Sequence, residues 1–319
     1  MQLHGDGTLV VAATDLVGFL ECDHLVTLEQ ARMRGEISRP VRSDPELDLL
    51  RQKGYLHESR YRERLEAAGR TVVDVPGRDP STLDELRAAA AATTALMREG
   101  ADVIFQATFF DGRWRGHADF LLRAERPSAL GPWSYDIADT KLARNVKTSA
   151  VLQMCVYADL LAQIQGEPPK TVSVVTGDGR EHPFRLADYA AYYRRAKARL
   201  IERVFGDGPP PATYPEPVGH CRVCNWWTVC MGRRRDDDHL SLVAGMTRQA
   251  TERLTADGLP TLAALGDAAI DRRVPEVQPR TYRRLHEQAR LQLRGRREGT
   301  GGVDALVYEL IPPDPELPG

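Results

Sequence analysis

The chain has 319 residues and a formal net charge of -2, with 42% hydrophobic and 28% charged side chains. That length holds one large domain with an appendage, or two domains, and apolar runs such as "ADLLAQI" (158–164) are too short to cross a bilayer. The near-neutral balance excludes a globally basic nucleic-acid coat, and five unevenly spread cysteines exclude a secreted disulfide scaffold. The opening "MQLHGDGTLVVAATD" lacks a basic segment before an apolar core, so it does not read as a signal peptide, and a cytoplasmic location is expected.

Residues 15–36 predict a helix with Asp15 as its N-cap. A second helix is expected over 45–68, which carries "GYLHESRYRERLEAAG", and "RTVVDVP" (70–76) reads as a short strand. "STLDELRAAAAATTALMREG" (81–100) predicts a helix capped by Ser81 or Thr82 and ended by Gly100. "DVIFQATFF" and "WRGHADFLLR" flank "DGR", the pattern of a hairpin. "SYDIADTKLA" is a third strand, "TSAVLQMCVYADLLAQIQG" a strongly apolar helix, "KTVSVVTG" a strand and "LADYAAYYRRAKARLIERVFG" a helix. The Pro-rich stretch 207–220 leads into "HCRVCNWWTVC". The expected core is therefore α/β, a mixed sheet flanked by helices. Past residue 236 short helical runs alternate with Gly245 and Gly258, and the end of the chain is Pro-rich.

Of the 43 basic side chains five are lysines (53, 141, 147, 170, 197) and 38 are arginines, clustered at 233–235 and across 279–297. Guanidinium forks suit phosphate. A solvated helix face is the competing reading.

The strands hold the candidate chemistry. Residues i and i+2 of a strand share a face, so Asp139 and Lys141 of "DIADTKLAR" project together. Thr140 is expected to turn away with its carbonyl available. If the neighbouring strand carries Asp119, two carboxylates and an ammonium converge. Such oxygen donors suit Mg²⁺ or Mn²⁺, ions that polarise a phosphodiester and acidify a bound water. An ordinary surface salt bridge is the alternative for D-x-K alone. Gln153 and Tyr157 are spaced i,i+4 on the helix after that strand. His57-Glu58 is followed by Arg60 and lacks the second histidine of HExxH, which excludes a zinc-protease motif.

Cys221, Cys224 and Cys230 have a C-x2-C-x5-C spacing. Zinc would take four Cys or His ligands, with His220 adjacent. An iron–sulfur cluster takes four cysteines, and buried structural thiols are the third option. Cys155, in an apolar run, reads as a core thiol. Trp226 and Trp227 either pack as shielding or stack on a base.

The succession His57, Asp119, Asp139-Thr140-Lys141 and Gln153-xxx-Tyr157 resembles the PD-(D/E)xK nucleases of the RecB type, over roughly residues 10–235. With the C-terminal C-x2-C-x5-C it is similar to their iron–sulfur branch, which includes CRISPR-associated RecB-like exonucleases and the AddB nuclease domain. The resemblance implies a restriction-endonuclease-like core over 1–235, with His57, Asp119, Asp139 and the Thr140 carbonyl as metal ligands. It gives Lys141 the role of assisting the attacking water, and Gln153 and Tyr157 that of supporting the site and touching DNA. Glu58 ranks below His57 as an extra ligand. Many relatives place Glu where this chain has Asp139, one methylene shorter. The branch takes its fourth cysteine from upstream, which implies Cys22, Cys221, Cys224 and Cys230 around a 4Fe–4S cluster acting as a structural staple.

The expected activity is a metal-dependent deoxyribonuclease, an exonuclease on single-stranded or end-containing DNA in repair, recombination or defence. The alternative is a non-catalytic iron–sulfur DNA-binding scaffold of a helicase–nuclease machine. A zinc-stapled nuclease is a third option. Residues 236–298 form a helical appendage, read either as a degenerate helix-hairpin-helix that offers backbone N–H groups to phosphate or as plain packing. Residues 299–319 read as a linker or tail. In resembling longer proteins a ribonuclease-H-like domain or a helicase comes next, so either is an expected partner, in cis or in trans.

Overall fold

The "DGR" turn does join two antiparallel strands, and the rest of the sheet is arranged around them. A computed structural model describes residues 1–77, 80–208, 211–299 and 305–309. The elements in chain order are β1 (Gln2–Leu3), β2 (Leu9–Ala12), α1 (Ala13–Glu21), α2 (Asp23–Met33), α3 (Pro45–Ala67), β3 (Val72–Asp74), α4 (Leu83–Glu99), β4 (Val103–Phe110), β5 (Trp114–Ala124) and β6 (Ser134–Lys141). They continue with α5 (Thr148–Gln165), β7 (Thr171–Thr176), β8 (Glu181–Arg185), α6 (Leu186–Phe205), α7 (Trp227–Asp236), α8 (Arg248–Ala256), α9 (Leu262–Gly266) and α10 (Pro279–Glu298). No helix of the described residues is long and apolar enough to cross a membrane.

The eight strands form one mixed sheet in the order β1-β2-β5-β6-β7-β8, with β4 on the other side of β5 and β3 beyond it. One edge of β5 is shared. Its start pairs with β2 at Trp114 and Arg115, and its end pairs with β6 from Phe120 onward. Residues 116–119 lie between the two partners, where β6 splays away from β5. The last ladder pair is Phe120 with Ala138, so the next pair in register is Asp119 with Asp139.

Each face of the sheet carries its own core. On one face Ile104, Ala107, Phe109, Ala118, Leu121 and Ile137 pack with Val151, Met154 and Val156 of α5. On the other, Phe105, Phe120, Ala138 and Val175 pack with Tyr61 of α3. Burying each such aromatic or aliphatic side chain stabilises the fold by about 1.5–3 kcal/mol. The alternation changes phase in both hairpin strands at one level. In β4, Phe105 faces α3 but Ala107 faces α5; in β5, Ala118 faces α5 but Phe120 faces α3. Gln106 and Asp119 sit at the change. Gln106 has φ 56°, and the ladder skips this pair without losing register.

The predicted helix over 15–36 is two helices. Cys22 has extended backbone (φ −157°, ψ 105°) between α1 and α2. Asp15 is not the N-cap. It sits inside the first turn, where its carboxylate accepts from Ala12 N–H at 2.7 Å and from the chain's N-terminus at 2.6 Å. Thr82, not Ser81, caps α4, and Gly100 ends it in the left-handed region at φ 77°. β1, β2 and β8 were not legible as strands in the sequence.

Gly116 is one of the glycines that allow a close approach. A Cβ on Gly116 would lie 2.6 Å from the Tyr157 ring, so this glycine lets α5 settle on β5 beside Asp119. Gly116→Ala is expected to cost about 1–3 kcal/mol through overpacking, read by chemical denaturation.

The chain divides into two compact units, one of Met1–Thr213 and one beginning at Tyr214. The division falls ahead of the 220–230 segment because Tyr214 is tied to residues of the second unit. Its hydroxyl donates to Asp237 at 3.0 Å and its ring stacks on His239. In the second unit α8, α9 and α10 share a core that includes Leu254, Leu262, Leu265, Tyr282 and Leu285. Thr247 and Thr261 cap α8 and α9. The expected tail over 299–319 lies outside the described residues, apart from 299 and 305–309.

Candidate active site

At the fork between β5 and β6 the strands have parted, and backbone groups there lose their ladder partners. Thr140 N–H turns to the Asp119 carboxylate instead, donating to Oδ2 at 2.7 Å, and Thr140 Oγ1 donates to the same oxygen at 2.7 Å. The Thr140 side chain is therefore not turned away, as regular alternation predicts. It tracks the splayed strand end toward Asp119.

Asp139 and Lys141 project together, as their spacing predicts, and form an ion pair. This pair is not at the surface at its acidic end: the Asp139 side chain is 2% exposed and that of Lys141 34%. Asp139 Oδ2 is buried and accepts no hydrogen bond of regular geometry, the ammonium apart. A buried ion pair contributes little net stability, because desolvation offsets attraction. The arrangement calls for another explanation than strengthening the fold.

The electrostatics identify the groups that face one another. The Asp119 carboxyl is pushed up to about 7, by burial first and then by the Asp139 charge. Glu58 pushes it the same way, while Lys141 and the Thr140 N–H oppose the shift. Burial works against the Lys141 ammonium, but the charges of Asp139, Asp119 and Glu58 outweigh it and hold its pKa up. The Tyr157 hydroxyl is held well above its ordinary pKa, by burial and then by Asp139, with Asp119 adding. Gln153 Nε2 donates to that hydroxyl. Gln153 and Tyr157 thus stand on the α5 side of the carboxylate pair.

Asp119 also makes stability depend on pH. An acid whose folded-state pKa lies above its unfolded value of 3.8 binds more protons when folded. Its contribution is fully present below the unfolded pKa and is lost as pH rises through about 7. In chelator, the melting temperature should fall as pH is raised over that interval, and Asp119→Asn should flatten the fall. An equal slope in parent and variant would remove Asp119 as its source.

His57 and Glu58 are both buried on α3. His57 Nε2 lies 3.0 Å from the Val175 carbonyl, to which it must donate. Its ring lines a cavity of about 250 Å³ with Arg60, Tyr61, Arg64 and Gly177. Glu58, ranked lower on sequence, is the α3 group whose charge acts on Asp119 and Lys141. It also receives a hydrogen bond from Gln106 Nε2. One signal was available: Glu58 precedes the core residue Tyr61 by three positions, on the same helix face. Gln106 was signalled only as the amide side chain interrupting the apolar run "VIFQATFF".

Among the described residues, no group of three or more His, Cys, Asp or Glu side chains is gathered to hold a metal ion. Two carboxylates are nevertheless what Mg²⁺ usually takes from a protein, water completing its shell. Asp119 and Asp139 fit that requirement, with Asp139 Oδ2 lacking a regular hydrogen bond. The expected set of His57, Asp119, Asp139 and Thr140 is thus drawn together in part.

The cysteines lie on short local structure, and they too form no gathered ligand group among the described residues. Cys221 belongs to a single 3-10 turn, Gly219–Arg222, and Cys230 to α7. Cys221 Sγ accepts from Val218 N–H at 3.4 Å. Trp226 is buried and Trp227 is 38% exposed. Cys155 packs in the α5 core, where burial pushes its thiol up to about 12.

The arginine clusters are largely committed within the protein. Arg234 is buried and donates to the Cys230 carbonyl at 3.2 Å. On α10, Arg290, Arg294, Arg296 and Arg297 pair with Glu287, Glu298, Asp238 and Asp267. These four stabilise the appendage locally, which lessens the face available for phosphate. No protein-family profile matches this chain, and no curated protein does either.

Proposed function

We propose that the chain is a divalent-metal-dependent nuclease with a restriction-endonuclease-like core, hydrolysing phosphodiesters of single-stranded or end-containing DNA. The observation that carries this reading is the opposed Asp119–Asp139 pair at the strand fork, with Lys141 on Asp139. Two acids facing each other, Asp139 buried and Asp119 half-buried, repel, and Asp119 is driven to retain a proton near neutrality. A divalent cation relieves that repulsion better than a proton does. A scaffold has no use for this arrangement.

When bound, Mg²⁺ or Mn²⁺ would polarise the phosphodiester and acidify a water molecule. Asp119 and Asp139 would hold the ion. Thr140 fixes one oxygen of Asp119 through two donors, which orients that carboxylate. Lys141, paired with Asp139, would orient the attacking water and stabilise charge growing on the phosphate. The Gln153–Tyr157 pair would support the site from the α5 side and touch DNA.

The cofactor part of the proposal is a 4Fe–4S cluster on Cys22, Cys221, Cys224 and Cys230. It is supported by the C-x2-C-x5-C spacing, by the placement of Cys22 at a helix break, and by the Val218 N–H on Cys221 Sγ. Its role is structural, and no step of hydrolysis passes through it. The test is anaerobic purification and an assay on end-labelled single- and double-stranded DNA with Mn²⁺ at several salt concentrations. Metal-dependent cleavage that weakens with salt supports the reading. DNA binding without hydrolysis supports the scaffold instead.

A further inference from the structure

We propose that the surface between the first half of α3 and the β6–α5 loop is a track that leads a single DNA strand to the strand fork. Lys53, Arg60, Arg144 and Lys147 take its phosphates, and Leu50 and Leu142 meet its unpaired bases. This inference rests on the nuclease reading above and names the form of substrate that the site takes. Position is the first observation. β6 ends at Lys141, two residues past Asp139. A Cβ on Gly54 would lie 4.0 Å from the next side chain, Leu142, so Gly54 marks the level at which β6 stops beneath α3. Leu50 shares a face of the helix with Gly54, His57 and Tyr61 by the i, i+4, i+7, i+11 spacing. His57 and Tyr61 are buried against the sheet, whereas Leu50 is 52% exposed, because α3 runs on past the strand end. Leu142 is exposed beside it. The loop is tied down, since Gly177 N–H donates to the Ala143 carbonyl at 3.3 Å. Gly177 in turn lines the cavity that holds His57 and Arg60.

Charge is the second observation. On α3, Arg51, Arg62 and Arg64 pair with Asp48, Asp74 and Glu181. Lys53 and Arg60 stand seven residues apart, on one flank of that helix. Neither makes an ion pair or a side-chain hydrogen bond with the described residues. Arg144 and Lys147, exposed on the β6–α5 loop, make none either. Asp178, an acid on this side, is taken by Arg180 and Thr176. With Lys141 at the fork, three of the chain's five lysines stand at this one place.

Free cations beside exposed leucines select the partner. A duplex offers phosphates but stacks its base faces inside, where leucines cannot reach them. A single strand offers phosphates to the cations and open base faces to the apolar side chains. A protein partner would cover the leucines but enclose four unpaired cations, which interface cores avoid.

The test is fluorescence anisotropy of a labelled single-stranded oligodeoxynucleotide with the full chain in chelator, so that binding is read apart from cleavage. Lys53→Ala and Lys147→Ala should each lower the slope of log affinity against log salt by about 0.7. Leu50→Ser, at an exposed position, should weaken single-strand binding several-fold with the slope unchanged, and erase the parent's preference over blunt duplex. Arg98→Ala should bind as the parent does. Arg98 is equally unpaired, but its helix α4 packs through Met97 into the core shared with α5, on the other face of the sheet. Parent-like affinity and slope in the Lys53, Lys147 and Leu50 variants overturn the inference, and cleavage by the parent in Mn²⁺ then leaves the nuclease reading standing. Equal binding of duplex and single strand by the parent overturns the single-strand assignment. A dimer dispersed by Leu50→Ser with DNA binding unchanged gives the leucines to a second copy and overturns it too. The expected losses in a parent that binds DNA but does not cleave it with Mn²⁺ uphold the surface as a single-strand site and remove the nuclease reading.

Discussion

Asp139→Asn is expected to lower metal-dependent cleavage by on the order of 10³-fold or more while leaving the fold intact. The size reflects the proposed role: one of the two carboxylates that would hold the cation is lost, and with it the acidified water and the polarised phosphate that the ion would supply. The intact fold reflects the local charge balance. Breaking a buried ion pair is costly when it strands a charge, but Lys141 would still face Asp119 and Glu58. Asp139 is also one of the groups that push Asp119 up, so its removal brings Asp119 back toward an ordinary carboxylate. Lys141→Ala should abolish cleavage as fully, yet behave differently without metal. It leaves three carboxylates with no ammonium among them, pushes Asp119 further up, and steepens the loss of stability as pH rises. Two inactive variants with opposite pH behaviour would separate a charge-balanced site from a simple salt bridge. Parent-like cleavage by either would remove the assigned residues.

Replacing Cys224 with alanine should abolish bound iron and the visible absorbance of thiolate-ligated iron, and Cys22→Ala should do the same. Cys155→Ala should leave both unchanged, since that thiol is a core group. A cross-link between residues near the two ends of the nuclease segment closes a long loop. By the chain-entropy argument its loss costs on the order of 5 kcal/mol. Iron analysis and chemical denaturation of anaerobically purified protein read the two effects. Zinc at one equivalent with no iron would make the staple a zinc site. Iron retained by Cys22→Ala would mean that the fourth ligand lies elsewhere.

What could be read in the sequence was local. The "DGR" turn, the alternation around it and the i,i+2 spacing of Asp139 and Lys141 are set by neighbours in the chain. The hairpin and the paired side chains result from them. The opposition of Asp119 to Asp139 depends on register and on how far two strands run before they part, which no short pattern encodes. The orientation of Thr140 was missed for the same reason, since alternation fails where the ladder ends. His57 and Glu58 both face the sheet, and motif order does not show that the charge of Glu58 acts on Asp119 and Lys141. The break at Cys22 was hidden because the residues on both sides favour helix. The phase change at Gln106 depends on the sign of one φ angle, to which a glutamine gives no sequence signal. The edge strands β1, β2 and β8 are short, and their existence depends on partners far along the chain.

The most direct test of the central claim is cleavage of end-labelled single-stranded DNA by the anaerobically purified chain, with Mn²⁺, with chelator, and with Lys141→Ala in parallel. Release of labelled product by the parent in Mn²⁺ alone is the expected result. Cleavage that persists in chelator or in the Lys141→Ala protein, or no cleavage by a folded, Mn²⁺-binding parent, would contradict it.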